Sequence, residues 1–354
     1  MSTFTHIPNV FTSKLIAKLK NHPKRVVFVE GEDIRVLRAA EQLVAHECVL
    51  PVVLGDRDRI RALAADNDIS LNFINVLNPE KSRELDRFAS MFEKSSRVRG
   101  VDIPNGREFV IRPAYFASMM AQYGLVDGLI GGNMSMPSTL FRALIQTIKP
   151  MPQVPKIFST IVLVAPHLKN FGINGTLILA DCGLIPEPTV EQLAVMAVET
   201  GKFTRRYTEI RPEIALLSHS TRGSSGTQGA QRVAAATRLA QTMAKDQHLD
   251  LDIDGELQAD VALDPKAAEI KLPEQIARPG SHVLIFPNLD SAHIALMLLT
   301  HCADAQNYGQ FIMGLSRPAA QIPRTSSEET IFGTALTVGY EAIKFHELYP
   351  EGEV

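Results

Sequence analysis

Residues 25–55 read RVVFVEGEDIRVLRAAEQLVAHECVLPVVLG, and their pattern decides the fold class. Residues 25–31 form an apolar run closed by Glu30 and Gly31, the signature of a parallel strand. Asp33 is placed to cap a helix, and Val36, Leu37, Ala40, Leu43 and Val44 give that helix its apolar face. Residues 49–54 are a second strand, ending at Gly55. The alternation continues through a helix over 56–65, a strand over 73–77 and a charged helix from 80 to about 95. Repeated βα units of this length predict a doubly wound sheet with helices on both faces.

Further along, the periodicity predicts one helix over 107–123, with Phe116, Met119 and Met120 in the core. A strand over 125–130 ends at Gly131-Gly132, and a helix covers about 137–148. Lys149-Pro150-Met151-Pro152 is the clearest hinge candidate. Beyond it lie predicted strands at 157–165, 176–180, 214–217, 251–254, 282–286 and 311–315. Thr189 with Gln192 is a capping box for a helix over 190–204. A helix spans 291–302, and the last, about 327–348, is apolar through Ile331, Ala335, Val338 and Ala342.

The composition excludes several classes. The chain has 354 residues, 45% hydrophobic and 21% charged, with net charge −3 and no basic block, so no nucleic-acid surface is expected. No apolar run is long enough to span a membrane, and the start of the chain lacks a signal-peptide core. Cys48, Cys182 and Cys302 are far apart, which suggests reduced, buried thiols in a cytoplasmic protein. The ten histidines form no HxxxH or HExxH pair, so no metal is expected.

Chemistry is expected first at 217–233, LSHSTRGSSGTQGAQRV. A buried strand leads into Ser218, Ser220, Thr221, Ser224 and Ser225, interleaved with Gly223, Gly226 and Gly229, and a helix follows. Such a loop can present N–H and O–H groups to an anion, with Arg222 and Arg232 adding positive charge. It matches neither G-x-x-x-x-G-K-[ST] nor G-x-G-x-x-G. Acidic, Gly, Ser or Thr residues also follow the other strands, and ligands of open α/β sheets bind at those ends.

Six ordered stretches carry a family resemblance: VFVEGEDIRVLRAA, LADCGLIPEPTVEQLA, LLSHSTRGSSG, DGELQADVAL, FPNLDSAHIA and GLSRPA. Together they resemble the phosphate acetyltransferases and phosphate butyryltransferases, the phosphate acyltransferases, over about residues 25–342. The resemblance implies two α/β domains with an interdomain cleft, like isocitrate and isopropylmalate dehydrogenases. The C-terminal segment would return to the first domain, giving 1–152 plus 316–354 and 153–315. It implies reversible acetyl transfer between acetyl phosphate and coenzyme A, by direct thiolate attack in a ternary complex. Coenzyme A or acetyl-CoA is then a substrate, acyl phosphate and inorganic phosphate the other partners, no cofactor is permanently bound, and the protein is a cytoplasmic homodimer.

The same resemblance assigns residues. The segment Ile322 to Thr330, IPRTSSEET, matches the family's Ser-Arg-Gly segment, so Arg324 takes the place of the catalytic arginine that meets the phosphate. Pro323 replaces the serine, and Thr330 replaces the aspartate that serves as base. Glu329 and His219 are the substitute bases, with Glu329 also readable as a capping partner for Ser326. Ser220, Thr221, Gly223 and Ser224 are expected at the phosphate, and Arg97, Arg99 and Arg142 at coenzyme A. Ser135-Met136-Pro137 stands where the family has His-Thr-Thr. With Met134, this suggests transfer of a larger acyl group, propionyl or butyryl, as a second reading. The lost aspartate leaves a third, a non-catalytic acyl-CoA sensor on the same fold.

Overall fold

The computed structural model describes residues 4–272 and 280–348. The chain divides into two compact units, residues 1–152 with 315–354, and residues 153–314. No helix among the described residues is long and apolar enough to cross a membrane.

The first unit opens with helix α1 (Val10–Asn21), capped by Asn9, which the sequence reading did not anticipate. Strand β1 (Lys24–Phe28), helix α2 (Ile34–Ala45), strand β2 (Val49–Leu54), helix α3 (Arg57–Ala65) and strand β3 (Asn75–Leu77) follow the expected alternation. Helix α4 (Leu85–Val98) starts five residues after the expected position, Glu80, because a short 3-10 turn (Pro79–Lys81) precedes it. The single helix expected over 107–123 is two, α5 (Gly106–Val110) and α6 (Pro113–Gln122). Pro113 is the cause: its ring disfavours helical backbone at Arg112, which sits at φ −75°, ψ 132°. Strand β4 (Gly128–Gly131) and helix α7 (Pro137–Thr147) complete this stretch.

The second unit contains β5 (Phe158–Val164), β6 (Thr176–Ala180), α8 (Val190–Thr208), β7 (Glu213–Leu217), α9 (Gln228–Asp246) and β8 (Asp252–Leu257). Short helices α10 (Ala259–Leu263) and α11 (Pro265–Lys271), strand β9 (Val283–Ile285), helix α12 (Leu289–Cys302) and strand β10 (Gln306–Met313) finish it. Its strands run in the order β10-β5-β6-β9-β7-β8. From β6 to β8 the pairs are parallel, but β5 is antiparallel to both β6 and β10. This unit is therefore a mixed sheet. The connection from β5 to β6 lacks a helix, so the chain can return only in the opposite sense. Leu179, Ala215, Leu257, Leu284, Phe286 and Leu296 pack in its core.

The chain then returns to the first unit as β11 (Ala319–Gln321) and α13 (Glu328–Leu348). Strand β11 pairs with β4 in parallel, so this unit's order is β3-β2-β1-β4-β11 with every pair parallel. The long last helix packs on α1, α2 and β1, burying Ile331, Phe332, Ala335, Leu336 and Val338.

Candidate active site

In the first unit, polar residues gather where β1, β4 and β11 end. The Glu30 carboxylate accepts hydrogen bonds from the Gly132 N–H (3.0 Å) and the Ser135 hydroxyl (2.8 Å). Burial pushes its pKa up, and those two bonds only partly offset the rise. Asp33 caps α2 as expected, accepting from the Arg35 N–H at 2.9 Å. It also accepts from Asn133 Nδ2 (2.8 Å) and from Arg35 Nη2 (2.6 Å). Burial alone would raise the Asp33 pKa, but the bonds from Arg35 and Asn133 outweigh it and leave the carboxyl below its ordinary value.

Arg35 reaches further. Its Nη1 donates to the carbonyls of Arg324 and Ser326, each at 2.8 Å, and its Nη2 to the carbonyl of Asn133 at 3.2 Å. The segment after β11 is thereby tied to the segment after β4. Arg324 itself is exposed, and its guanidinium has no hydrogen bond or ion pair with any described residue.

Glu329 is placed differently from either sequence expectation. Its Oε2 lies 2.7 Å from Nδ1 of the buried His6, whose Nε2 meets the Thr12 hydroxyl at 3.1 Å. The capping position falls one residue later than expected: Ser327 Oγ accepts from the Thr330 N–H at 3.2 Å. Ser326 Oγ is buried without a partner among the described residues.

The three arginines expected at coenzyme A lie in the first unit under different constraints. Helix α4 extends through Val98, so Arg97 sits exposed in its last turn. Arg99 donates to the carbonyls of Ile145 (2.9 Å) and Thr147 (3.3 Å), closing the end of α7. Arg142 is exposed on α7, close enough to Tyr115 to oppose, in part, the upward shift that burial imposes on the phenol.

In the second unit, the Gly/Ser/Thr loop joins β7 to α9, as the sequence indicates. Its donors turn inward. The buried Glu256 carboxylate accepts from the Ser220 hydroxyl (2.8 Å) and the Gly223 N–H (2.7 Å). Ser220 Oγ in turn accepts from the Ser225 N–H at 3.0 Å, and Ser224 Oγ accepts from the Thr221 N–H at 3.0 Å. Thr221 Oγ1 accepts from the Gln258 N–H at 3.0 Å. Burial raises the Glu256 pKa, but the Gly223 and Ser220 bonds and the Arg222 charge outweigh it, so the carboxyl sits below its ordinary value. Arg222 donates to Asp254 at 2.9 Å, and Arg232 to Glu187 at 3.1 Å and the Pro287 carbonyl at 3.0 Å. The donor set expected to face a phosphate at Ser220, Gly223 and Ser224 is thus engaged within the loop, around a carboxylate supplied by the neighbouring strand. His219 is exposed, its Nε2 3.1 Å from Ser225 Oγ.

Asp181, the residue after β6, ties its own turn in a similar way. It accepts from Ser159 N–H (2.9 Å), Gly183 N–H (3.0 Å) and Ile185 N–H (2.7 Å). Cys48 and Cys182 are buried as expected, and burial pushes the Cys48 thiol up to about 12 and the Cys182 thiol well above its ordinary value. Cys302 is exposed, contrary to the expectation of three buried thiols; it is the last residue of α12. No cluster of ligating side chains suited to a metal occurs among the described residues.

The phosphate acetyl/butaryl transferase family matches residues 10–338. A phosphate acetyltransferase of Acetivibrio thermocellus is 32% identical over 94% of this chain and 98% of its own length. One from Clostridium acetobutylicum is 31% identical over 90% of this chain and 95% of its own length. Among solved structures, a phosphotransacetylase from Staphylococcus aureus superposes with a TM-score of 0.82 at 29% identity, covering 94% of this chain and 98% of that one. The chain belongs to the phosphate acetyl/butaryl transferase family.

A more distant neighbour, 4-hydroxythreonine-4-phosphate dehydrogenase from Klebsiella pneumoniae, is 14% identical with a TM-score of 0.52 over 90% of this chain and 99% of its own, and shows the fold alone. Arg35, Asn133 and Glu256 were not singled out by sequence reasoning. Arg35 and Glu256 lie inside quoted family stretches, but nothing in their spacing shows that one gathers carbonyls and the other gathers N–H and O–H donors.

Proposed function

We propose that this protein is a phosphate acetyltransferase, transferring an acetyl group reversibly between acetyl phosphate and coenzyme A. The family membership supports the reaction class. The single observation that carries the residue assignment is Arg324: an exposed guanidinium without a described partner, on a segment whose backbone is held from behind. An arginine fork suits the two-point contact that a phosphate leaving group presents.

The thiolate sulfur of coenzyme A attacks the carbonyl carbon of acetyl phosphate. A C–S bond forms, the C–O bond to phosphorus breaks, and phosphate leaves with the electron pair. Arg324 neutralises charge building on the phosphate oxygens. The thiol must first lose its proton. Of the two substitute bases, Glu329 is taken up by His6, whereas His219 is exposed. Arg97 and Arg142, both exposed, are the proposed coenzyme contacts, while Arg99 is committed to the end of α7.

The test follows thioester absorbance with purified protein, coenzyme A and acetyl phosphate. Turnover supports the reading, and tight acetyl-CoA binding without turnover overturns it in favour of a sensor. A second reading, a larger acyl group, is favoured by Met134 and Met136, which are 57% and 58% exposed on the segment before α7. Turnover with propionyl or butyryl phosphate but not acetyl phosphate would establish it. A cytoplasmic homodimer is part of the same proposal, checked by sedimentation.

A further inference from the structure

Arg35 is the most heavily engaged arginine at the strand ends of the first unit. A guanidinium carries five N–H donors in a fixed plane. Those of Arg35 meet Asp33 (Nη2 to Oδ2, 2.6 Å, and Nε to Oδ1, 3.1 Å), the Asn133 carbonyl (3.2 Å) and the carbonyls of Arg324 and Ser326 (both 2.8 Å). None is left to meet a substrate. Asp33 is itself fixed twice, as the cap of α2 and as acceptor from Asn133 Nδ2. Three segments, those after β1, β4 and β11, are therefore referred to one rigid cation.

The consequence concerns Arg324. A carbonyl pinned by Arg35 sets the orientation of the peptide plane that leaves Arg324. The Ser326 carbonyl pins the same turn two residues on, and the Ser326 N–H closes it onto the Pro323 carbonyl at 3.0 Å. Pro323 carries no side-chain hydroxyl, so the turn depends on its backbone anchors. We propose that Arg35 is a positioning residue that aims Arg324 by holding the carbonyls of residues 324 and 326. This rests on the role given to Arg324 above.

Lysine keeps the charge at 35 but has no planar fork, so it cannot reach Asp33 and both carbonyls together. Arg35→Lys should lower kcat by about 100-fold, the cost of a misplaced catalytic contact, while KM for coenzyme A changes less than about threefold, since no Arg35 donor is free for substrate. A double-mutant cycle with Arg324→Lys separates aim from general stability. If Arg35 acts through Arg324, the double variant is no slower than Arg324→Lys alone, within about twofold. Multiplicative losses overturn the proposal, as does wild-type kcat in Arg35→Lys. Amide hydrogen exchange at Ser326 supplies a readout independent of turnover: Arg35→Lys should speed exchange there while leaving the amides of β2 unchanged. Unchanged exchange at Ser326 overturns the proposal even if the protein has no turnover, whereas faster exchange in a protein without turnover retains the anchor and removes the acetyltransferase reading. If Arg35→Lys fails to fold, Asp33→Asn serves in its place, because asparagine preserves the helix cap while weakening the hold on Arg35.

Discussion

The segment after β11 and the loop after β7 both follow parallel strands, and both are stitched from behind by one charged side chain. The charges are opposite. In the first unit the cation Arg35 collects carbonyl oxygens from Arg324, Ser326 and Asn133. In the second the anion Glu256 collects the Gly223 N–H and the Ser220 hydroxyl. The first arrangement leaves a guanidinium projecting without a described partner; the second uses donors that an external anion would need. Here the anion that the Gly/Ser/Thr loop meets is Glu256, supplied by the protein itself.

That contrast can be broken most sharply at Arg324. Arg324→Ala should lower kcat/KM for acetyl transfer by about 100- to 1000-fold, as removal of a transition-state donor does. Steady-state kinetics with acetyl phosphate check it, and near-normal activity would remove Arg324 from the mechanism.

Next comes the anion. Glu256→Gln replaces charge-assisted bonds with neutral ones and should destabilise the second unit by about 1.5–3 kcal/mol. Urea unfolding followed by circular dichroism measures it. The folded protein holds Glu256 below its ordinary value, so the carboxylate's contribution is fully present above the unfolded value of about 4.3 and is lost as pH falls through the depressed folded one. The gap between wild type and Glu256→Gln should therefore narrow in acid.

Two glycines sharpen the comparison at a smaller scale. Gly132 and Gly223 both have positive φ, 106° and 83°. A Cβ on Gly132 would lie 2.9 Å from the Ile322 carbonyl oxygen and 2.8 Å from Gln321 Nε2, whereas one on Gly223 would meet nothing. Gly223→Ala should cost about 1–2 kcal/mol from backbone strain alone, and Gly132→Ala more. Equal losses would show that the turn between β4 and α7 yields freely.

The smallest effect is expected at Glu30. Glutamine can still accept from Gly132 and Ser135, so Glu30→Gln should cost about 1 kcal/mol or less. The pH dependence reverses relative to Glu256. Burial raises the folded pKa of Glu30, so ionisation opposes folding, and wild type loses ground to Glu30→Gln as pH rises from the unfolded value through the folded one. A gap that moves the same way for both glutamates would discard the distinction.

Residues 25–55 settled the α/β class without help, because a buried parallel strand and an amphipathic helix each leave a local hydrophobic period. Caps were equally legible at Asp33 and Thr189, where one side chain answers an N–H a few residues away. The same holds for the six family stretches, whose resemblance agrees with the family match over residues 10–338. Other features were decided only in three dimensions. Pro113 divided a periodic helix, and β5 ran antiparallel to its neighbours. Glu329 went to His6, 323 residues away, instead of to Ser326. Glu256 filled the loop from an adjacent strand, and Arg35 gathered carbonyls from segments about 100 and 290 residues distant. Local period and local caps are short-range matters of sterics and hydrogen bonding. Which charge answers which distant donor depends on strand order, and strand order is a property of the whole fold.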